Sequence, residues 1–275
     1  MNESQGTAEA TGATSPSEPL LVLKGFSKSF GPVEALKDVD LELHAGEVVG
    51  LVGDNGAGKS TLIKAIAGVQ PPDGGEARFE GELVGLHSPQ AATRLGIATV
   101  YQDLALCDNL DVVANLFLGQ EVADTVPGVD VLDETAMEHK SVELLSSLGV
   151  TTLRSVRTEV ASLSGGQRQA VAIARSLLGE PKVVLLDEPT AALGIVQTAQ
   201  ILKLIDRLRE RRLGVIVISH NLANVFEVAD RIAVLRLGRM AATLETRDVS
   251  REEVVGAITG AEFGDEERPT EETPL

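Results

Sequence analysis

Glu47-Val-Val-Gly-Leu-Val52 runs directly into Gly53-Asp-Asn-Gly-Ala-Gly-Lys-Ser-Thr61, EVVGLVGDNGAGKST in one-letter form. The first part is a near-continuous apolar run of the kind buried on both faces in a parallel sheet. The second part satisfies G-x-x-x-x-G-K-[ST], and a helix pattern over Lys59–Ala67 follows it. Strand, glycine-rich turn and helix in this order make a phosphate cradle. Gly53, Gly56 and Gly58 let the backbone wrap close to an anion, so that successive N–H groups along Gly53, Asp54, Asn55, Gly56, Ala57 and Gly58 point inward. The helix N-terminus adds positive potential. Lys59 then reaches the β- and γ-phosphates of a nucleotide, the Ser60 hydroxyl suits Mg²⁺, and Thr61 completes the segment.

Outward from this loop, short apolar runs alternate with longer helical patterns, which predicts an α/β fold with a largely parallel sheet. Central strands are expected at 47–52, 97–101, 182–186, 215–219 and 231–236, and helices at 59–67, 110–118, 133–148, 165–178 and 197–212. In the third helix Met137, Val142, Leu144, Leu145 and Leu148 give an apolar stripe. The runs at 20–26, 39–43 and 76–84 have the form of a separate antiparallel layer. Residues of about 103–160 lack a convincing strand and are expected to form a helical insertion in the core.

The strand at 182–186 ends in Asp187-Glu188-Pro189-Thr190, two carboxylates at the edge where ligands of open α/β sheets collect. Asp187 is placed like the Mg²⁺-associated carboxylate of a phosphate-loop enzyme, and Glu188 is placed to orient and polarise a water for attack on the γ-phosphate. Standing alone, such a pair is also a simple strand stop.

Composition bounds the remaining possibilities. With 43% hydrophobic and 24% charged residues over 275 positions, the chain has the means to bury a core. No apolar run approaches the roughly 18–20 residues that cross a bilayer. The net charge is −17, of which residues 1–19 carry −3 and residues 262–275 carry −5, leaving −9 for the body. Such a body offers no general electrostatic footprint for nucleic acid. The termini at 1–19 and 263–275 are small, polar and acidic, and are expected to be disordered tails around a domain at 20–262. The single cysteine, Cys107, forms no internal disulfide.

Leu163-Ser164-Gly165-Gly166-Gln167 precedes an apolar-striped helix and, read locally, is either a Ser-capped helix start or a second anion cradle. Its position twenty residues before Asp187 makes the whole arrangement resemble the ATP-binding subunits of ABC transporters, over roughly residues 20–260. That resemblance implies the phosphate-loop ABC ATPase fold with an antiparallel β subdomain and a helical insertion. It also implies roles for further residues. Phe30 matches the aromatic that stacks on adenine, Gln102 the glutamine that contacts Mg²⁺ or the attacking water, and His220 the switch histidine at the γ-phosphate. Two chains would stand head to tail around two ATP molecules, with the loop of one facing Ser164, Gly165, Gly166 and Gln167 of the other. One departure stands out: most members carry Asp where this chain has Gly194.

Finer similarity, in 53–64, 96–106 and 109–120 and in Ala192-Leu193-Gly194, is to bacterial importers of monosaccharides such as ribose, xylose and fructose. It implies an ATPase on the cytoplasmic face of the membrane, peripheral, with a second such subunit as partner in what is expected to be a homodimer. Further partners would be a membrane permease and, indirectly, an extracytoplasmic sugar-binding protein. Two alternatives stay open at this point: an ABC ATPase not coupled to transport, and a nucleotide-dependent regulatory subunit with little turnover.

Overall fold

Alternating apolar residues at the start of the chain build one sheet, and continuous apolar runs build another. The computed structural model describes residues 18–126 and 129–261, so the expected tails lie almost wholly outside the described residues. Strands β1 (Leu21–Phe30) and β2 (Val33–Leu43) form a hairpin, and the chain then enters β3 (Val48–Val52) and helix α1 (Lys59–Ile66). It returns as β4 (Gly74–Phe79) and β5 (Glu82–Val84), completing an antiparallel sheet in the order β2-β1-β4-β5. Helix α2 (Pro89–Arg94), capped by the Ser88 hydroxyl, leads into β6 (Ile97–Val100).

Next come α3 (Val112–Phe117), the strands β7 (Ala123–Val126) and β8 (Val129–Leu132), α4 (Glu134–Ser147) and α5 (Gly165–Leu177). The chain ends as β9 (Val183–Asp187), α6 (Ile195–Glu210), β10 (Gly214–Ile218), α7 (Leu222–Val228), β11 (Arg231–Arg236), β12 (Arg239–Glu245) and α8 (Arg251–Thr259). The second sheet has the order β12-β11-β3-β10-β9-β6. It is parallel except for β12, which pairs antiparallel with β11.

Both faces of this sheet are covered at its centre, which is why the inner strands β11, β3, β10 and β9 lack polar alternation. Val49, Leu51, Leu185, Ile216 and Ile218 pack with β1, β2 and α1 on one side. Their neighbours Val48, Val52, Val184, Leu186, Val215 and Val217 pack with α5 and α6 on the other. Each fully buried aliphatic contributes roughly 1.5–3 kcal/mol relative to exposure, so this two-sided core fixes the sheet edge on which the phosphate loop stands.

Three expectations need correction. The stretch 103–160 is not free of strand, since β7 and β8 pair there as an antiparallel hairpin. The stripe on α4 is displaced: Met137, Ser141, Leu145 and Leu148 are buried, whereas Val142 is exposed, and the small Ser141 enters the face because its hydroxyl donates to the Met137 carbonyl at 2.8 Å. Finally, α6 begins at Ile195 rather than at 197, because the Gln197 amide oxygen accepts the Gly194 N–H and starts the helix there.

Candidate nucleotide site

The loop between β3 and α1 is held in shape by its own backbone. Gly53 has φ +149°, and a Cβ there would lie 2.1 Å from the Leu235 carbonyl oxygen. Gly58 caps α1 at φ +107°, where a Cβ would lie 2.6 Å from the Ala35 carbonyl oxygen. At both positions the loop leaves no room for any larger residue. The Ala57 N–H donates to Asp54 at 3.1 Å, and the Ala57 carbonyl accepts the Gly238 N–H at 2.9 Å, tying the loop to the β11–β12 turn. No side chain caps α1. Its first N–H groups therefore give the cradle its donors.

Lys59 lies across this loop, its ammonium donating to the carbonyls of Gly53 at 2.7 Å and Asp54 at 2.9 Å. Burial lowers its pKa, against the opposing pull of Glu188, Asp54 and Asp187. A cavity of about 590 Å³ opens here, lined by Asn55 through Thr61 of the loop and by Gln102, Asp187 and Glu188. Asp187 ends β9, and burial, reinforced by the neighbouring Glu188 carboxylate, pushes its pKa up, while Lys64 and Lys59 act the other way.

Glu188 follows in the left-handed region at φ +53°, a conformation that non-glycine residues hold at an energetic cost and that recurs at functional sites. Its N–H donates to the Ile218 carbonyl at 3.1 Å, which pins the turn to β10. The Nδ1 of His220, two residues beyond the end of β10, stands 2.7 Å from the Glu188 Oε2. Two parallel strand ends thus bring these side chains together. Ser60, Asp187 and Gln102 share the cavity and offer hydroxyl, carboxylate and carboxamide oxygens, the hard donors that Mg²⁺ prefers.

Not every residue picked from the sequence lines this cavity. Phe30 lies at the end of β1, paired with Val33, which does line it. Ser164, Gly165, Gly166 and Gln167 are not among the lining residues. They start α5 in a reciprocal cap, the Gln167 amide oxygen accepting the Ser164 N–H at 2.9 Å and the Ser164 hydroxyl accepting the Gln167 N–H at 3.4 Å. A Cβ on Gly166 would meet the Gln197 side chain at 3.0 Å, so this turn packs on the start of α6, close to Gly194. Lys37, Ala35 and Gly238 also line the cavity and escaped the sequence reading, because only the β1–β2 hairpin and the β11–β12 turn bring them near the loop.

The family description "ABC transporter" matches residues 36–191. The chain belongs to the ABC transporter family. Among curated relatives, the ABC protein is 45% identical over 249 residues to the fructose import ATP-binding protein FrcA of Rhizobium meliloti, covering 89% of this chain and 95% of the relative. It is 44% identical to the xylose/arabinose import ATP-binding protein XylG of Sulfolobus acidocaldarius, covering 89% and 96%. A ribose import ATP-binding protein of Rubrobacter xylanophilus is 42% identical, but the match covers 88% of this chain and 47% of that one, so the chain spans about half its length. An ATP-binding cassette of an ABC transporter, solved in its ADP conformation, shares the fold with a TM-score of 0.73 at 26% identity, covering 89% of this chain and 96% of that one. A dimeric cassette bound to ADP and Pi superposes with a TM-score of 0.68 at 26% identity, covering 82% and 99%. The antiparallel sheet, the parallel core and the helical stretch around α3–α5 of this chain are those of an ABC ATPase.

Proposed function

We propose that this chain is the ATP-hydrolysing subunit that energises monosaccharide import through an ABC permease. The observation that carries the reading is the convergence of Lys59, Asp187 and Glu188 on one cavity of a nucleotide-binding fold, with His220 hydrogen-bonded to Glu188. Sugar import rests on the relatives named for fructose and for xylose and arabinose, which this chain matches along nearly their whole length.

In this account the backbone N–H groups of the loop and Lys59 bind and orient the triphosphate. Ser60, Asp187 and Gln102 would hold Mg²⁺, which when bound neutralises phosphate charge. Glu188 accepts a hydrogen bond from the attacking water and aims it at the γ-phosphorus, while His220 holds the Glu188 carboxylate in place and faces the transferred phosphoryl. The new P–O bond forms as the bond to the ADP oxygen breaks, and the proton of the water passes to a phosphate oxygen or to Glu188. Because Ser164–Gln167 stand outside the cavity, the second face of the site is assigned to the Ser164–Gln167 turn of another copy. The solved dimeric cassette of the same fold supports that assembly. The site residues act on the cytoplasmic face of the membrane, with the permease docked on the chain and a sugar-binding protein delivering the substrate to it from outside. No helix among the described residues is long and apolar enough to cross the membrane.

The test is to isolate the tagged chain from native membranes in mild detergent, identify bound proteins by mass spectrometry and assay ATP turnover with candidate monosaccharides and the binding protein. Recovery of a polytopic permease with sugar-dependent turnover is the expected result. ATP turnover without any permease, or with ribosomal or repair partners, would overturn the transport reading.

A further inference from the structure

Phe30 has an unusual support. The Lys28 ammonium lies 5.7 Å from the centroid of its ring, within the range of a cation–π contact. Lys28 is itself fixed: its ammonium donates to the Asp73 carboxylate at 2.8 Å, and its side chain is only 16% exposed whereas Asp73 is 50% exposed. Asp73 belongs to the turn before β4, and it grips β1 at consecutive positions. Its second carboxylate oxygen accepts the Ser29 N–H at 2.7 Å, and its own N–H donates to the Ser27 carbonyl at 2.8 Å. The bonds from Lys28 and from the Ser29 N–H hold the Asp73 carboxyl below the usual carboxylate range, the Lys28 bond contributing most. Phe30 is 43% exposed at the end of β1, paired with Val33, which lines the cavity.

We infer that Asp73 and Lys28 are positioning residues for the nucleobase, clamping the Phe30 ring so that its other face is presented flat to the adenine of bound ATP. The inference rests on the proposed ATP site and deepens it. Physically, an exposed ring at a strand end turns freely and loses that freedom on stacking. A cation seated on one face removes part of the loss beforehand, and its charge polarises the ring. The triphosphate end is served by Lys59 and the loop, to which Lys28 and Asp73 contribute none of the lining. Their effect is therefore confined to the base.

A base-free probe separates the two ends of the ligand. Affinities for Mg²⁺-ATP and for Mg²⁺-tripolyphosphate are measured by calorimetry on the full chain and on Lys28→Met, Lys28→Arg, Asp73→Asn and Phe30→Ala. Lys28→Met and Asp73→Asn are expected to weaken ATP about two- to fivefold and to leave tripolyphosphate unchanged. Phe30→Ala is expected to weaken ATP at least as much, and Lys28→Arg to restore it, since a guanidinium keeps both the ion pair and the ring contact. Equal losses for ATP and tripolyphosphate would show that the pair only stabilises the hairpin and would overturn the inference, as would unchanged ATP affinity in Lys28→Met. If the unmodified chain binds neither probe, the ATP-site reading falls first, so the two failures are distinguishable.

Discussion

At the scale of single residues, the site is defined by charges that its burial disfavours. Asp187 has its pKa raised from 3.8, chiefly by desolvation and then by Glu188. A carboxyl raised in the fold costs stability once ionised. The cost is complete above its folded value and disappears as pH falls toward 3.8. Asp187→Asn is therefore expected to raise the melting temperature of the ligand-free protein at pH 7. That gain should shrink as the pH is lowered, while Mg²⁺-dependent turnover falls about a hundredfold or more. An unchanged or lower melting temperature at pH 7 would contradict the assignment of burial as the dominant cause. Lys59 is lowered for the same reason, and its ammonium spends two hydrogen bonds on the loop's own carbonyls. Exchanging those neutral carbonyls for anionic phosphate oxygens adds charge–charge attraction to the bonds, so Lys59→Ala should weaken ATP by about tenfold or more in equilibrium binding with the fold intact.

At the scale of elements, the most consequential side chain outside the site is Asn115 on α3, fully buried within an apolar segment. Its oxygen accepts the Cys107 N–H at 2.7 Å, and its amide nitrogen donates to the carbonyls of Cys107, Leu110 and Asp111 at 3.0, 3.2 and 3.0 Å. It thereby folds the loop that follows Gln102 onto the helical insertion. Asn115→Ala strands several of these groups, and a loss of about 2–3 kcal/mol is expected, seen as a fall of roughly 4–10 °C in melting temperature. Asn115→Asp should fail to rescue it, having lost the donor. None of this was legible in the sequence, where Asn115 stands among valines and leucines and its partners are backbone atoms of a preceding loop. The five expected strands of the large sheet were legible, four of them because burial on both faces leaves an apolar run, whereas β6 lies at the sheet edge and is half-buried at Ala98 and Thr99. The edge strand β12 was not, since its residues alternate between exposed and half-buried and carry no such run. The short α2, α7 and α8 were missed as well: two have fewer than two full turns, too few for a period to register, and the buried residues of α8 among those described are only Val254 and Gly256. Within the site, the phosphate loop and the Asp187-Glu188 pair were legible from local chemistry. Phe30, Gln102 and His220 came from the resemblance, and the clamp on Phe30 needed the fold, since Lys28 and Asp73 are 45 residues apart.

At the scale of the molecule, one chain presents two unlike surfaces: a cavity lined by Lys59, Asp187 and Glu188, with His220 hydrogen-bonded to Glu188, and the Ser164–Gln167 turn packed on the start of α6. Ile195 and Val196, which follow Gly194, are 90% and 72% exposed, an apolar step beside that turn that a second subunit would cover. The account needs both surfaces to meet across two chains, with ATP between them and Glu188 directing the water. The most direct measurement combines turnover with mass: ATP hydrolysis and light scattering of the unmodified chain and of Glu188→Gln, each with Mg²⁺-ATP. The account predicts that Glu188→Gln retains ATP, loses turnover by about a hundredfold or more, and accumulates as a stable dimer, because the composite site closes but cannot reopen. Turnover equal to that of the unmodified chain, or a protein that stays monomeric with ATP bound, would contradict it.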